Sequence, residues 1–123
     1  MSKPAKLRAP EYLGHIVEAI QRIERYVGQM TEAAFLQDER TQDAVIRNLE
    51  IIGEASRNIE RHQPRFAAEH PEIPWSVAYE MRNALAHGYF KIDLEIVWKT
   101  IKNDLPQLQG QIRNLLERPR DPG

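Results

Sequence analysis

The chain has 123 residues, of which 41% are hydrophobic and 28% are charged, a composition typical of globular domains and not of disordered chains. A single domain over residues 1–123 is therefore expected, with an ordered core over about residues 10–117 and frayed termini. The formal net charge is −1, which excludes nucleic-acid binding through an overall positive charge and leaves only a local basic patch for that role.

Cysteine is absent from the sequence, which excludes disulfides and thiolate metal sites. The sequence also lacks a run of about 18 apolar residues, so no membrane-spanning helix is predicted. The basic N-terminal residues are not followed by an apolar stretch, so no secretory signal is predicted either. Together these features indicate a cytoplasmic protein.

Two long helices are predicted in the first half of the chain, because apolar residues recur there every three or four positions. The first begins near Pro10 and ends at Gly28, and the second runs from about residue 41 to 61, with a short helical turn over 31–37 between them. The apolar stripes of these helices are Leu13, Ile16, Ile20, Ile23, Val27 and Met30, then Val45, Leu49, Ile52, Ala55 and Ile59.

A proline-rich segment follows the second helix. Three prolines between residues 63 and 74 predict a loop that contains at most one short helix, over 65–69. A third long helix is predicted over 75–86. It should end at Gly88, because glycine adopts the left-handed C-terminal conformation without strain.

The last long helix is predicted to begin after an Asp93 N-cap. Pro106 lies inside it and should either kink it or divide it at an Asp104 cap. Its stripe consists of Val97, Ile101, Leu105, Leu108, Ile112 and Leu115. No segment has the two-residue alternation of a strand, so the predicted fold is all-α, an up-and-down bundle of four principal helices plus short helices.

More apolar residues are present than one small bundle needs. Ile51, Trp98 and Leu116 lie beside the predicted stripes. A homodimer is the natural way to bury this additional apolar surface. The two tryptophans, Trp75 and Trp98, are expected to be core or interface anchors and not platforms that stack on bases.

The side chains best suited to chemistry lie at the end of the third predicted helix. On a helix Asn83 and His87 are four residues apart and share a face, and Arg82 lies on the adjoining face. This set suits cleavage of RNA by its own ribose 2′-hydroxyl. A histidine can transfer the proton, an arginine can neutralise the scissile phosphate, and an amide can orient either group. The nucleophile belongs to the substrate, so no metal ion or cofactor is required.

A structural interpretation of the same residues is also open at this point. The helix dipole favours a histidine near a helix C-terminus, and Arg82 could pair with Glu80 or Asp93. Spacing alone favours this interpretation.

The remaining polar candidates are weaker. His15, His62 and His70 lack the spacing of metal ligands and are predicted to be structural or solvated. Glu50 and Glu54 share a helical face and could be paired acids, but a solvated face or pairing with neighbouring arginines is favoured.

The spacing of Arg82, His87 and Tyr89 resembles the Arg-x4-His-x-Tyr motif of the HepT family of HEPN-domain toxins. Four further blocks resemble that family: AVIRNLEIIGEA at 44–55, HPEIPW at 70–75, HGYF at 87–90 and VWKTI at 97–101. The resemblance covers nearly the whole chain, from Leu13 to Leu116. The motif alone is a weak signal, but these blocks in this order make it specific.

The resemblance implies a homodimeric helical bundle whose two motifs meet across the interface. This shared site would make the protein a metal-independent endoribonuclease that acts on tRNA or mRNA, with Arg82 and His87 as catalytic residues. The family also implies the toxin role in a type VII toxin–antitoxin pair. Its partner would be an MntA-like minimal nucleotidyltransferase, an antitoxin that transfers AMP to Tyr89. A local basic patch for RNA is expected from Arg57, Arg61, Arg65 and Lys91.

A second function from a different class stays open. The chain could be a non-catalytic helical subunit that binds or regulates a nucleotidyltransferase, with the motif serving only its shape. The presence of both Arg82 and His87 favours the enzyme.

Overall fold

The computed structural model describes residues 8–75 and 93–117. Every regular element within these two ranges is a helix. The elements are α1 (Ala9–Val27), α2 (Glu32–Leu36), α3 (Glu39–His62), α4 (Pro64–Glu69), α5 (Leu94–Lys99), a π-helical turn (Thr100–Asp104) and α6 (Leu105–Glu117). The predicted all-α fold class is confirmed. The third predicted long helix lies outside the described residues after Trp75.

Local signals in the sequence explain where the first helices begin and end. Gly28 terminates α1 with a φ of 52°, a left-handed conformation that glycine adopts without strain. Thr31 caps α2, and its hydroxyl accepts a hydrogen bond from the Ala34 N–H. The Asp38 carboxylate caps α3 by accepting the N–H and the hydroxyl of Thr41 at 3.1 and 3.0 Å. These bonds lower the pKa of Asp38, the backbone bond first, because they stabilise the charged form.

The elements from Leu94 to Glu117 form one continuous helical segment, which we call the α5–α6 rod. The core lies where α1, α3 and this rod face one another. All the stripe residues predicted from periodicity are buried except Met30 and Leu115, which pack against the core at its edge. The predicted amphipathic pattern is therefore confirmed for these helices. Among the described helices, none is long and apolar enough to cross a membrane.

Phe35 is a core residue that no predicted stripe contains. It is 0% exposed, and its ring centroid lies 5.4 Å from that of Trp98 on α5. The Gln42 side chain donates a 2.9 Å hydrogen bond to the Phe35 carbonyl and so ties α2 to α3. Because α2 is little more than one turn long, it has no periodicity from which this burial could be predicted.

Truncation of Phe35 should strongly destabilise the fold. We expect Phe35→Ala to lower the free energy of unfolding by about 3–5 kcal/mol, since the cavity cannot collapse without moving α2. Tyr26, which is 42% exposed, provides the control, and Tyr26→Ala should cost less than about 1 kcal/mol. Urea unfolding followed by circular dichroism measures both, and equal losses would contradict the central role of Phe35.

The last helix tolerates Pro106 in a way that the sequence did not predict. The Asp93 carboxylate caps α5 by accepting the N–H groups of Glu95 and Ile96, as predicted. Of the two predicted alternatives, a kink or a division at Asp104, the division is wrong, because the backbone stays helical from Leu94 to Glu117. A π-helical turn precedes the proline, and the Leu105 N–H donates to the carbonyl of Thr100, five residues earlier. The wider turn accommodates a residue that has no N–H and whose ring would clash with a carbonyl four residues back.

The direction of the α5–α6 rod relative to α3 follows from two contacts at different levels along α3. At the N-terminal end, α2 packs on α5 through Phe35 and Trp98. Further along α3, the Gln111 side chain on α6 donates a 3.1 Å hydrogen bond to the carbonyl of Glu72, in the loop after α4, and both residues line one groove with Leu49 and Ile52 of α3. The α5–α6 rod therefore runs in the same direction as α3.

Candidate functional site

The predicted site residues beyond position 75 lie outside the described residues: Arg82, Asn83, His87, Tyr89 and Lys91. Their roles stay predictions from the sequence. The structure does place the residues on both sides of them, as well as the other predicted RNA-binding residues. The positions of these described residues show which contacts hold the chain just before the motif and where the predicted RNA-binding arginines lie.

The motif is preceded by a short turn over residues 70–75, which we call the 70–75 turn. Trp75, at its end, has helical backbone bonding, in agreement with the predicted helix start. Its side chain is only 5% exposed, and the indole N–H lies 3.3 Å from the Ala67 carbonyl and 3.2 Å from the His70 carbonyl. Ile73 is also buried in the core. The prediction that Trp75 is a core anchor is confirmed.

Three of the four predicted RNA-binding residues lie near one end of α3. Arg57 is half-buried and Arg61 is exposed, and their four-residue separation places them on one helical face. Arg65 is exposed in the first turn of α4. Residues 57–65 contain three arginines and one glutamate, a local charge of +2 in a chain whose net charge is −1. We call residues 57–65 the basic region at the α3–α4 junction; Glu54 and Glu69 flank it, and its role in binding RNA stays a prediction.

The histidines predicted to be structural or solvated occupy unrelated positions. His15 is exposed on α1, and His62 is the last residue of α3. His70 lies 3.3 Å from a Glu72 carboxylate oxygen, and its ring centroid is 4.6 Å from that of Phe66. No group of three potential metal ligands occurs among the residues that the structure describes.

For Glu50 and Glu54 the sequence favours a solvated helix face, or pairing with neighbouring arginines, over a pair of catalytic acids. Both residues line a shallow groove between α1 and α3, together with Arg47 and His15. Glu54 is exposed and Glu50 is half-buried. The mixed charges of this groove are those of a solvated face and provide no isolated acid pair.

A second groove, of about 410 Å³, lies between α3 and the α5–α6 rod. Its apolar lining includes Leu49, Ile52 and Leu108, and the carboxylates of Glu72 and Asp104 lie at its edge. These carboxylates are exposed and would repel a phosphate. The groove is therefore unsuited to an RNA backbone.

The hydrogen bond from Gln111 to the 70–75 turn could not be found from the sequence. Gln111 and Glu72 are 39 residues apart. A glutamine on the polar side of a helix has no sequence signal that distinguishes a structural hydrogen bond from solvation. Trp98 does match its prediction as an anchor, since it packs on Phe35 and has the Lys102 ammonium 4.8 Å above its ring.

A sequence profile of the family described as Ribonuclease HepT-like matches residues 16–115. The chain belongs to the HepT-like ribonuclease family. The resemblance predicted from the motif and its flanking blocks is confirmed. The range matched to HepT includes the positions of Arg82, Asn83, His87 and Tyr89.

Several curated proteins are similar to this HepT-family chain. A probable ribonuclease HepT of Thermococcus cleftensis is 48% identical over 85% of this chain and 93% of its own length. A gamma-glutamylcyclotransferase and putative RNase of Methanocaldococcus jannaschii is 42% identical over 86% of this chain and 46% of its own length. A putative RNase of the same organism is 36% identical over 86% of this chain and 85% of that protein. No solved structure gives a significant match.

Proposed function

We propose that this HepT-family chain is the toxin of a type VII toxin–antitoxin pair and an endoribonuclease that cleaves tRNA or mRNA without a metal ion. The observation that carries the proposal is the family match over residues 16–115, a range that contains Arg82 and His87. The similarity to a probable ribonuclease HepT over nearly the whole of both chains supports it further.

The proposed reaction uses a nucleophile that belongs to the RNA. His87 accepts the proton of a ribose 2′-hydroxyl while that oxygen attacks the adjacent phosphorus. The bond from phosphorus to the 5′-oxygen of the next nucleotide breaks, and that oxygen takes a proton from solvent, to which His87 afterwards releases the proton it accepted. The products are a 2′,3′-cyclic phosphate and a free 5′-hydroxyl. Arg82 neutralises the charge that grows on the phosphate oxygens, and Asn83 orients the phosphate or the imidazole.

Binding of the RNA backbone is assigned to the basic region at the α3–α4 junction. Arg61 and Arg65 are exposed there, and the half-buried Arg57 lies on the same helical face as Arg61. Lys91 would add a fourth positive charge. Each contact with a phosphate releases a counterion, so binding should weaken as salt concentration rises.

The products and the metal dependence test this function directly. The purified chain should cleave RNA in excess EDTA, and the upstream product should carry a 2′,3′-cyclic phosphate detectable by mass spectrometry. Complete inhibition by the chelator, reversed by added Mg²⁺, would contradict the mechanism. RNA binding without cleavage would favour a non-catalytic binding subunit.

We also propose that the active form is a homodimer with motifs from both subunits in each site. Ile96 is 57% exposed and Leu116 is 40% exposed, and such residues gain free energy when a second copy covers them. Sedimentation at micromolar concentration should give twice the 14.3 kDa mass of one chain. A monomer under those conditions would contradict the shared site.

Mixing two inactive variants tests the shared site more sharply. If each site combines Arg82 of one subunit with His87 of the other, an Arg82→Ala/His87→Ala heterodimer has one intact site. Random reassociation of equal amounts makes half of the dimers heterodimers, so about a quarter of the parent activity should return. No recovery despite verified subunit exchange would place both residues of one site in the same subunit.

A further inference from the structure

Four hydrogen-bond contacts, to the carbonyls of Ala67 and His70, hold the 70–75 turn. The Ala67 carbonyl accepts both the His70 N–H and the Trp75 indole N–H. The His70 carbonyl accepts the Ile73 N–H as well as the same indole N–H. The carbonyls at the end of a helix lack partners within it, so the buried indole completes the end of α4. Trp75 thereby connects α4 to the start of the helix predicted over 75–86.

A hydrogen bond from α6 also holds the same turn. The Gln111 amide on α6 donates its 3.1 Å hydrogen bond to the carbonyl of Glu72, in the middle of the turn. The neighbouring Ile73 side chain is 3% exposed. The turn is therefore fixed to α4 by Trp75, to the core by Ile73 and to α6 by Gln111.

We propose that Trp75 and Gln111 are positioning residues for the catalytic motif, an inference that rests on the proposed ribonuclease function. Arg82 follows Trp75 by seven residues, about two turns of the helix predicted over 75–86. On that predicted helix, a rotation or a shift of the start would also displace the positions of Arg82 and His87. Misplacement of reacting groups by about 1 Å can cost on the order of a hundredfold in rate.

Isosteric and charge-matched substitutions provide the test. Trp75→Phe removes the indole N–H and keeps most of the apolar volume, and Gln111→Glu replaces the amide donor with an acceptor of the same shape. The matched controls are Trp98→Phe, at the other end of the α5–α6 rod, and Gln107→Glu. Gln107 is exposed one helical turn before Gln111, so this control adds the same charge to the same helix. Gln111→Lys restores a donor and should recover part of the lost activity.

The readout is single-turnover cleavage of RNA at saturating substrate, together with KM and the thermal midpoint of unfolding. We expect kcat to fall by about ten- to a hundredfold in Trp75→Phe and Gln111→Glu. KM should stay within about twofold, because the variants keep the basic region that binds phosphates. Both controls should retain the parent kcat.

Each other outcome has a defined meaning. A parent chain that does not cleave RNA would overturn the proposed function itself. With an active parent, unchanged kcat in both test variants overturns the positioning role. The positioning role is also overturned if KM changes in place of kcat, or if Gln107→Glu is equally impaired. It is overturned as well if activity falls only in proportion to the fraction of unfolded protein at the assay temperature.

Discussion

Replacement of His87 or Arg82 with alanine is expected to reduce RNA cleavage by about 10² to 10³ and to abolish growth inhibition. Each substitution removes a group that acts mainly in the transition state. The apolar face predicted for their helix consists of Val77, Ala78, Met81 and Leu85 and includes neither residue, so the fold should be retained. Initial rates under single-turnover conditions and circular dichroism spectra measure the two properties separately.

The described residues provide matched controls for this experiment. His15 on α1 and Arg113 on α6 are both exposed, and His15→Ala and Arg113→Ala should cleave RNA at the parent rate. Both controls remove the same side-chain types from surfaces with no assigned role in the reaction. Parent-like cleavage by His87→Ala would show that the catalytic assignment is wrong.

Incubation with a cognate nucleotidyltransferase, ATP and Mg²⁺ is expected to place AMP on Tyr89 and to silence RNA cleavage. The phenol oxygen forms a bond to the α-phosphorus of ATP, pyrophosphate leaves, and a base on the partner takes the proton. The added phosphodiester is negatively charged and lies two residues from His87, so it should repel and block the RNA phosphate. Cleavage should decline in proportion to the modified fraction measured by intact mass.

Other tyrosines provide the controls for this modification. Tyr26 is exposed on α1 and Tyr12 is buried, so only Tyr26 among the described tyrosines competes on grounds of access. Tyr89→Phe should gain no AMP and should keep its activity after incubation, whereas Tyr26→Phe should behave as the parent. AMP mapped by peptide mass spectrometry to Tyr26, Tyr12 or Tyr79 would contradict the assignment of Tyr89.

Much of the fold follows from local patterns in the sequence. Apolar residues repeated every three or four positions predict α1, α3 and the last helix, because a helix buries one continuous face. Gly28, Thr31 and Asp93 mark helix ends correctly, because each satisfies backbone groups within a few residues of itself. The family resemblance was also available from linear blocks, and the profile match over residues 16–115 agrees with it.

The sequence by itself thus determined the helices, their apolar faces, the family and the candidate catalytic residues, since these depend on neighbours along the chain. Only the tertiary structure decided the burial of Phe35, the π-helical turn before Pro106 and the Gln111 bond to the 70–75 turn. The burial and the bond join segments that are distant in sequence, and which groups meet depends on how the helices pack. The π-helical turn depends on keeping the apolar stripe against the core on both sides of a proline. Such choices are made by burial and close packing over the whole bundle, and no local pattern encodes them.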